Sequence, residues 1–136
     1  MLAALGWGYV KGMTFVQAQN PGEALIRLEK MAISANLSVP VLKVRQMMTA
    51  TIDLIIQQTK LQDGSWKVAT FSEVQGIDGE LPILTEIFVF EQQGMENGKI
   101  IGRIKPTGNK PTFLERIRAT NVTLPPNLFG SSKNAG

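Results

Sequence analysis

The chain has no cysteine and no histidine. The first absence excludes a disulfide framework, thiolate metal sites and a cysteine nucleophile. The second removes the usual imidazole base, the serine–histidine triad and most transition-metal sites. Long apolar runs are missing as well. The uncharged stretch at residues 31–42 has twelve residues and contains Pro40, and that at residues 119–132 has fourteen and contains Pro125 and Pro126, both well short of the ~20 apolar residues a spanning helix needs. No basic residue precedes Lys11, so the opening stretch does not read as a signal peptide.

What is present suits one folded domain. The 136 residues are 43% apolar and 18% charged, enough for a core and too apolar for a disordered chain. The net charge of +3 is mild but unevenly spread. Residues 99–136 carry seven basic groups (Lys99, Arg103, Lys105, Lys110, Arg116, Arg118, Lys133) against Glu115 alone, a net of +6. Residues 1–98 carry seven basic groups against ten acids, a net of −3.

Residues 1–12 mix apolar residues with three glycines and read as a broken segment. Phe15 and Val16 favour a short strand over residues 13–19. A helix should follow, because Asn20 can cap, Pro21 fits the first helical position and Glu23 sits where a capping acid belongs. Leu25, Leu28, Ala32 and Ala35 give it a buried face, and Glu23 can pair with Arg27 on the wet side. A second helix is expected from residues 38–40 to about residue 60, with Val41, Val44, Met48, Ile52, Ile55 and Thr59 inward. Met31, Met47 and Met48 fall at helical spacing as core or helix-contact residues.

At Asp63-Gly64 the period changes to alternation. Residues 65–75 read as a strand with Trp66, Val68, Thr70 and Val74 on one face and Lys67 and Glu73 on the other. Asp78-Gly79 marks a turn. Residues 83–91 are apolar on both faces at Ile87, Phe88, Val89 and Phe90, which predicts a central strand. Asn97-Gly98 is a hairpin signal, and residues 99–107 complete an antiparallel meander of three strands. Pro111 opens a short helix with Phe113, Leu114 and Ile117 inward, residues 124–129 form an apolar clip, and residues 130–136 read as a loose tail.

Chemistry is harder to find. Gly6, Gly8 and Gly12 are spaced one residue too long for a dinucleotide fingerprint, and no strand precedes them. The run from Gly94 to Ile100 is one residue short of a phosphate loop and has isoleucine where a magnesium-binding hydroxyl belongs. Glu73, Asp78, Glu80, Glu86 and Glu91 could offer an acid–base pair, but no spacing fixes a pair in a cleft, and a solvated strand face accounts for them. The basic segment could hold phosphate, yet it lacks interleaved aromatics, since Phe113 and Phe129 occupy apolar positions. A solvated or partner-facing surface accounts for it.

Several runs in order carry a resemblance. N-P-G-E-A-L-x-R-L-E-x-M at residues 20–31 resembles a signature of the type II/IV secretion ATPases, most closely the CpaF-like ATPases of Tad/Flp pilus systems. Residues 40–60, with Arg45, I-D-L-I at 52–55 and Gln57-Gln58, look like the family's next helix. L-Q-D-G-S-W-K-V at 61–68 is similar to its L-R-D-G-S-R-x-V turn, and S-E-V-Q-G at 72–76 to T-E-V-x-G. I-F-V-F-E at 87–91 resembles its L-F-V-F-E strand. Residues 105–114 and L-P-P-N-L-F at 124–129 resemble its ending, R-x-T-G-x-x-P-x-F-L followed by L-P-P-x-L-F.

The resemblance implies an α/β fold that is an incomplete RecA-like P-loop ATPase: the C-terminal portion over residues 1–129, followed by a tail at 130–136. It implies two helices, a three-stranded meander and a short last helix. The family's members are hexameric, hydrolyse ATP with magnesium and drive secretion or pilus assembly at the cytoplasmic face of the inner membrane. Their phosphate loop, catalytic glutamates and magnesium-binding acid lie upstream of the matching region. ATP and magnesium therefore belong to the parent family, and this chain is expected to hold no cofactor and to be non-catalytic alone. The family's histidine box, G-H-x-G-S-L-x-T-x-H-A-N-S-P, resembles residues 8–21 with Gly8, Ala18 and Pro21 kept, Thr14 one place ahead of the box's threonine, Tyr9 and Gln17 at the two histidine positions, Lys11 for the second glycine and Gly12 for the serine. The resemblance thus leaves Gly8, Thr14 and Gln17 as the remnant of a nucleotide-contacting box, without a group that can carry charge there. Expected partners are copies of this chain or complete secretion ATPase subunits, with the inner-membrane pilus or secretion platform implied by the family and no specific nucleic acid. The alternative is a non-catalytic binding module that docks onto a complete ATPase ring or a pilus-assembly component. The third reading is a nucleic-acid binder acting through residues 99–118.

Overall fold

A computed structural model describes residues 12–35 and 38–130. Helices α1 (Pro21–Ser34) and α2 (Val41–Thr51) are followed by strands β1 (Leu54–Lys60), β2 (Trp66–Asp78), β3 (Leu81–Glu96) and β4 (Lys99–Pro106), then by the short helix α3 (Leu114–Arg118). The architecture is mixed α/β, with a four-stranded antiparallel sheet in the order β1-β2-β3-β4. The chain divides into two compact units, Met1–Leu54 with Val74–Leu84, and Ile55–Glu73 with Thr85–Gly136.

The first unit begins where the sequence says it should. Asn20 Oδ1 accepts the Glu23 N–H at 2.8 Å, Pro21 occupies the first turn, and Glu23 reaches back to accept the Gln19 N–H at 2.7 Å. Glu23 also pairs with Arg27 at 2.8 Å, and these contacts, the Gln19 N–H first, lower its pKa. Ala24 and Leu25 of α1 are buried, as are Val44 and Met48 of α2 and Val74 of β2. Arg45 ties this unit together: Nε and Nη2 donate to the Glu29 carboxylate at 2.6 and 3.2 Å, and Nη1 donates to the Glu80 carbonyl at 3.0 Å. The Val74 N–H donates to the Asp53 carbonyl at 3.0 Å.

In the second unit the core is Ile87, Ile100 and Leu114, with the polar Ser72 and Glu73 equally buried. Phe71 meets Phe88 edge-on at 5.7 Å, and Phe88 meets Phe129 at the same distance, which fixes the apolar clip of residues 124–129 at its last aromatic. The Asn97-Gly98 hairpin is present, with both residues at positive φ, 50° and 74°, as a two-residue hairpin turn requires. β3 is a central strand as predicted, flanked by β2 and β4, with Ile87 fully buried.

Four expectations need correction. The second helix does not reach residue 60: it stops at Thr51, and Leu54–Lys60 is a strand, so the meander has four strands rather than three. Thr51, Ile52, Ile55, Ile56 and Thr59 are β-branched, which disfavours helix and suits a pleated surface. Along β1 half-buried and exposed residues alternate, a period of two that the helical spacing of 48, 52, 55 and 59 had hidden. Residues 12–18 have no regular structure, so the short strand over 13–19 is absent there. Met31 is 61% exposed and Ala35 is also exposed, so the inward face of α1 ends earlier than its spacing suggested, while Met48 is buried as expected. Glu73, placed on a solvated face, is 2% exposed.

Candidate functional site

The nucleotide-box remnant gives little to build on. Gly8 lies outside the described residues, and Thr14 and Gln17 are exposed in the irregular stretch ahead of α1. The N-terminus of α1, where backbone N–H groups would favour a phosphate, is already filled by the Asn20 and Glu23 side chains. Among the described residues no three metal-ligating side chains converge.

The richest constellation lies in the second unit, around the segment that follows β4. Glu73 is buried on β2, and its carboxylate accepts the Thr112 N–H at 2.8 and 3.1 Å and the Thr112 hydroxyl at 2.5 Å. A buried carboxylate must be matched by donors, and Thr112 supplies two from one residue. The same segment is held at its other end. The Thr107 hydroxyl donates to the Glu86 carbonyl at 2.7 Å, the Asn109 amide donates to it at 3.0 Å, and the Thr107 N–H donates to the Ile87 carbonyl at 3.0 Å. Residues 107–112 thus form a strap across one side of the sheet, ended by buried Pro111 and Leu114.

Beyond the strap opens a cleft of about 660 Å³, lined by Lys110, Leu114, Arg118, residues 121–127, Phe129 and Gly130. Its lining holds two cations, three amide or hydroxyl side chains (Asn121, Thr123, Asn127) and no carboxylate. Such a lining can hold an apolar or anionic group.

The sequence-picked acids and bases are brought together in an unanticipated way. Glu91 accepts from both Arg103 and Lys105, at 3.2 and 3.1 Å, which lowers its pKa, the Lys105 bond contributing most. Arg118 pairs with Glu115 at 2.8 Å. The basic segment is therefore divided between paired cations and others such as Lys110. Asp63 lies in the turn between β1 and β2. Its carboxylate accepts the Ser65 hydroxyl and N–H at 2.6 and 2.9 Å and the Ile100 N–H at 2.6 Å, which holds its pKa down at about 2. Its link to Ile100, 37 residues away, had no local signal in the sequence. No helix among the described residues is long and apolar enough to cross a membrane. No family model matches the chain, and no curated protein matches it.

Proposed function

We propose that this chain is the C-terminal portion of a CpaF-like secretion ATPase and contributes assembly surface rather than catalysis. The observation that carries the reading is the ordered series of motif-like runs between Asn20 and Phe129. In its support, residues in those runs take constrained positions: Asn20 and Glu23 cap a helix, Asp63 builds a turn, and Glu73 grips the strap. The role implied is to complete a larger ATP-driven machine for secretion or pilus assembly as part of a homo-oligomer or of complete ATPase subunits. ATP and magnesium would be held by residues outside this chain. The alternative, a docking module on a complete ring or a pilus-assembly component, is favoured by exposed large apolar residues, of which Phe15 at 91% and Met13 at 80% are the most open among the described residues.

The test is co-purification with the upstream part of a CpaF-like ATPase that lacks its own C-terminal portion, with phosphate release measured on each piece and on the mixture. The expected result is a stable complex, with no ATP turnover by this chain alone. Failure to associate with that piece but capture by a complete ring would favour the docking module. Turnover by the isolated chain that survives repurification and responds to mutation of this chain would contradict both.

A further inference from the structure

We infer that the outer edge of β4 is a docking edge for an extended acidic segment of another protein, added as a fifth strand. This rests on the hairpin geometry and holds independently of the family reading.

In a two-residue hairpin the pair that flanks the turn exchanges both backbone hydrogen bonds. Here that pair is Glu96 and Lys99. Parity then turns the N–H and C=O groups of Lys99, Ile101, Arg103 and Lys105 inward to β3, and those of Ile100, Gly102 and Ile104 outward. The extra residue between Gln92 and Gly94 lies on β3, so it leaves the parity of β4 intact. Two bonds agree with the assignment: the Thr107 N–H, in phase with Lys105, donates to the Ile87 carbonyl at 3.0 Å, and the Ile100 N–H donates to Asp63 Oδ2 at 2.6 Å rather than to β3. The next two outward N–H groups, of Gly102 and Ile104, have no partner strand, because β4 ends the sheet among the described residues. Both residues are exposed, Ile104 at 41%.

The side chains select the occupant. The inward-bonding residues place Lys99, Arg103 and Lys105 on one face with Ile101, and the outward-bonding residues place Ile100 and Ile104 on the other. An incoming antiparallel strand must set outward-bonding positions against β4's own, so its alternate residues fall opposite Lys99, Ile101, Arg103 and Lys105. A second β4 is disfavoured: every antiparallel register that overlaps three or more of those four positions sets two cations directly opposite each other. At Ile100 the edge is already taken by Asp63, so the open stretch is Gly102 to Lys105; there a strand with acids at alternate positions meets Arg103 and Lys105 with opposite charge and lays its remaining residues beside Gly102 and Ile104. Glu91 does not saturate this face, since one carboxylate serves both Arg103 and Lys105, which remain 62% and 50% exposed.

The experiment uses the whole chain and two blocked octapeptides, one alternating glutamate with valine and one alternating lysine with valine. In the free protein the amides of Gly102 and Ile104 should exchange with solvent fast and those of Ile101 and Arg103 slowly. The acidic peptide should bind and protect Gly102 and Ile104, and the basic peptide should bind at least tenfold more weakly. Arg103→Glu with Lys105→Glu should weaken the acidic peptide at least tenfold. Ile104→Pro should do the same, since it removes an outward N–H while sparing the β3 ladder. Absence of binding, binding without protection at Gly102 and Ile104, equal affinity for the two peptides, or indifference to Ile104→Pro in a folded variant would each overturn the proposal. The exchange measurement on the unmodified chain decides the matter if a variant fails to fold.

Discussion

Glu73 carries the largest departure between residue type and environment. Ser72, Glu73 and Val74 are buried in succession, so both faces of β2 are covered at that point and simple alternation fails. The cover over Glu73 is the strap at Thr112, 39 residues away, and no local pattern announces it. Replacing Glu73 by alanine removes the acceptor for two donors and leaves a gap beneath the strap. The expected cost is about 2–3 kcal/mol, read from denaturant unfolding, with Glu73→Gln costing less because it keeps one acceptor oxygen. Asp63 makes a second residue-scale prediction. Its folded pKa of about 2 lies below the usual 3.8, so the folded state holds the ionised form more tightly than the unfolded chain does. The stability it supplies is complete above about pH 4 and is lost as the pH falls through about 2. In paired denaturation series from pH 5 to pH 2, the advantage of the native chain over Asp63→Asn should shrink toward the acid end.

At the scale of elements, the sequence was most legible where a backbone conformation demands a residue type. The capped start of α1 and the Asn97-Gly98 turn were both readable for that reason. The boundary between α2 and β1 was not, because no glycine or proline marks it. Only β-branching and the bond from Val74 N–H to the Asp53 carbonyl distinguish strand from continued helix, and the second is a tertiary contact. Gly102 is likewise unannounced. A Cβ there would lie 2.3 Å from the Glu91 carbonyl oxygen and 2.5 Å from the Phe90 ring. The backbone oxygen cannot swing aside as a side chain could, so Gly102→Ala should force β3 and β4 apart at the bulge. A loss of about 1–3 kcal/mol is expected, with faster amide exchange on both sides of the Asn97-Gly98 turn. The candidate site followed the same division: its acids and bases were visible as residue types, but their partners were set by the sheet.

Over the whole molecule, the described residues bury few apolar side chains and leave many open. Eight apolar side chains are buried, while sixteen large ones are exposed, among them Phe15, Met13, Leu81, Trp66, Met31 and Met95, each 60% exposed or more. Each large apolar side chain moved from water to a covered position contributes about 1.5–3 kcal/mol, against a total stability of ~5–15 kcal/mol for an ordinary domain. Covering even three or four of them would matter as much as the fold itself. This chain is expected to need further protein surface, from copies of itself or from the larger assembly proposed above. Sedimentation velocity of the purified chain over a hundredfold concentration range tests it most directly. The account expects a mass that climbs with concentration above the 14.9 kDa of one chain, together with binding of a hydrophobic dye that falls as the assembly forms. A single 14.9 kDa species at every concentration, unfolding cooperatively and binding no dye, would contradict it.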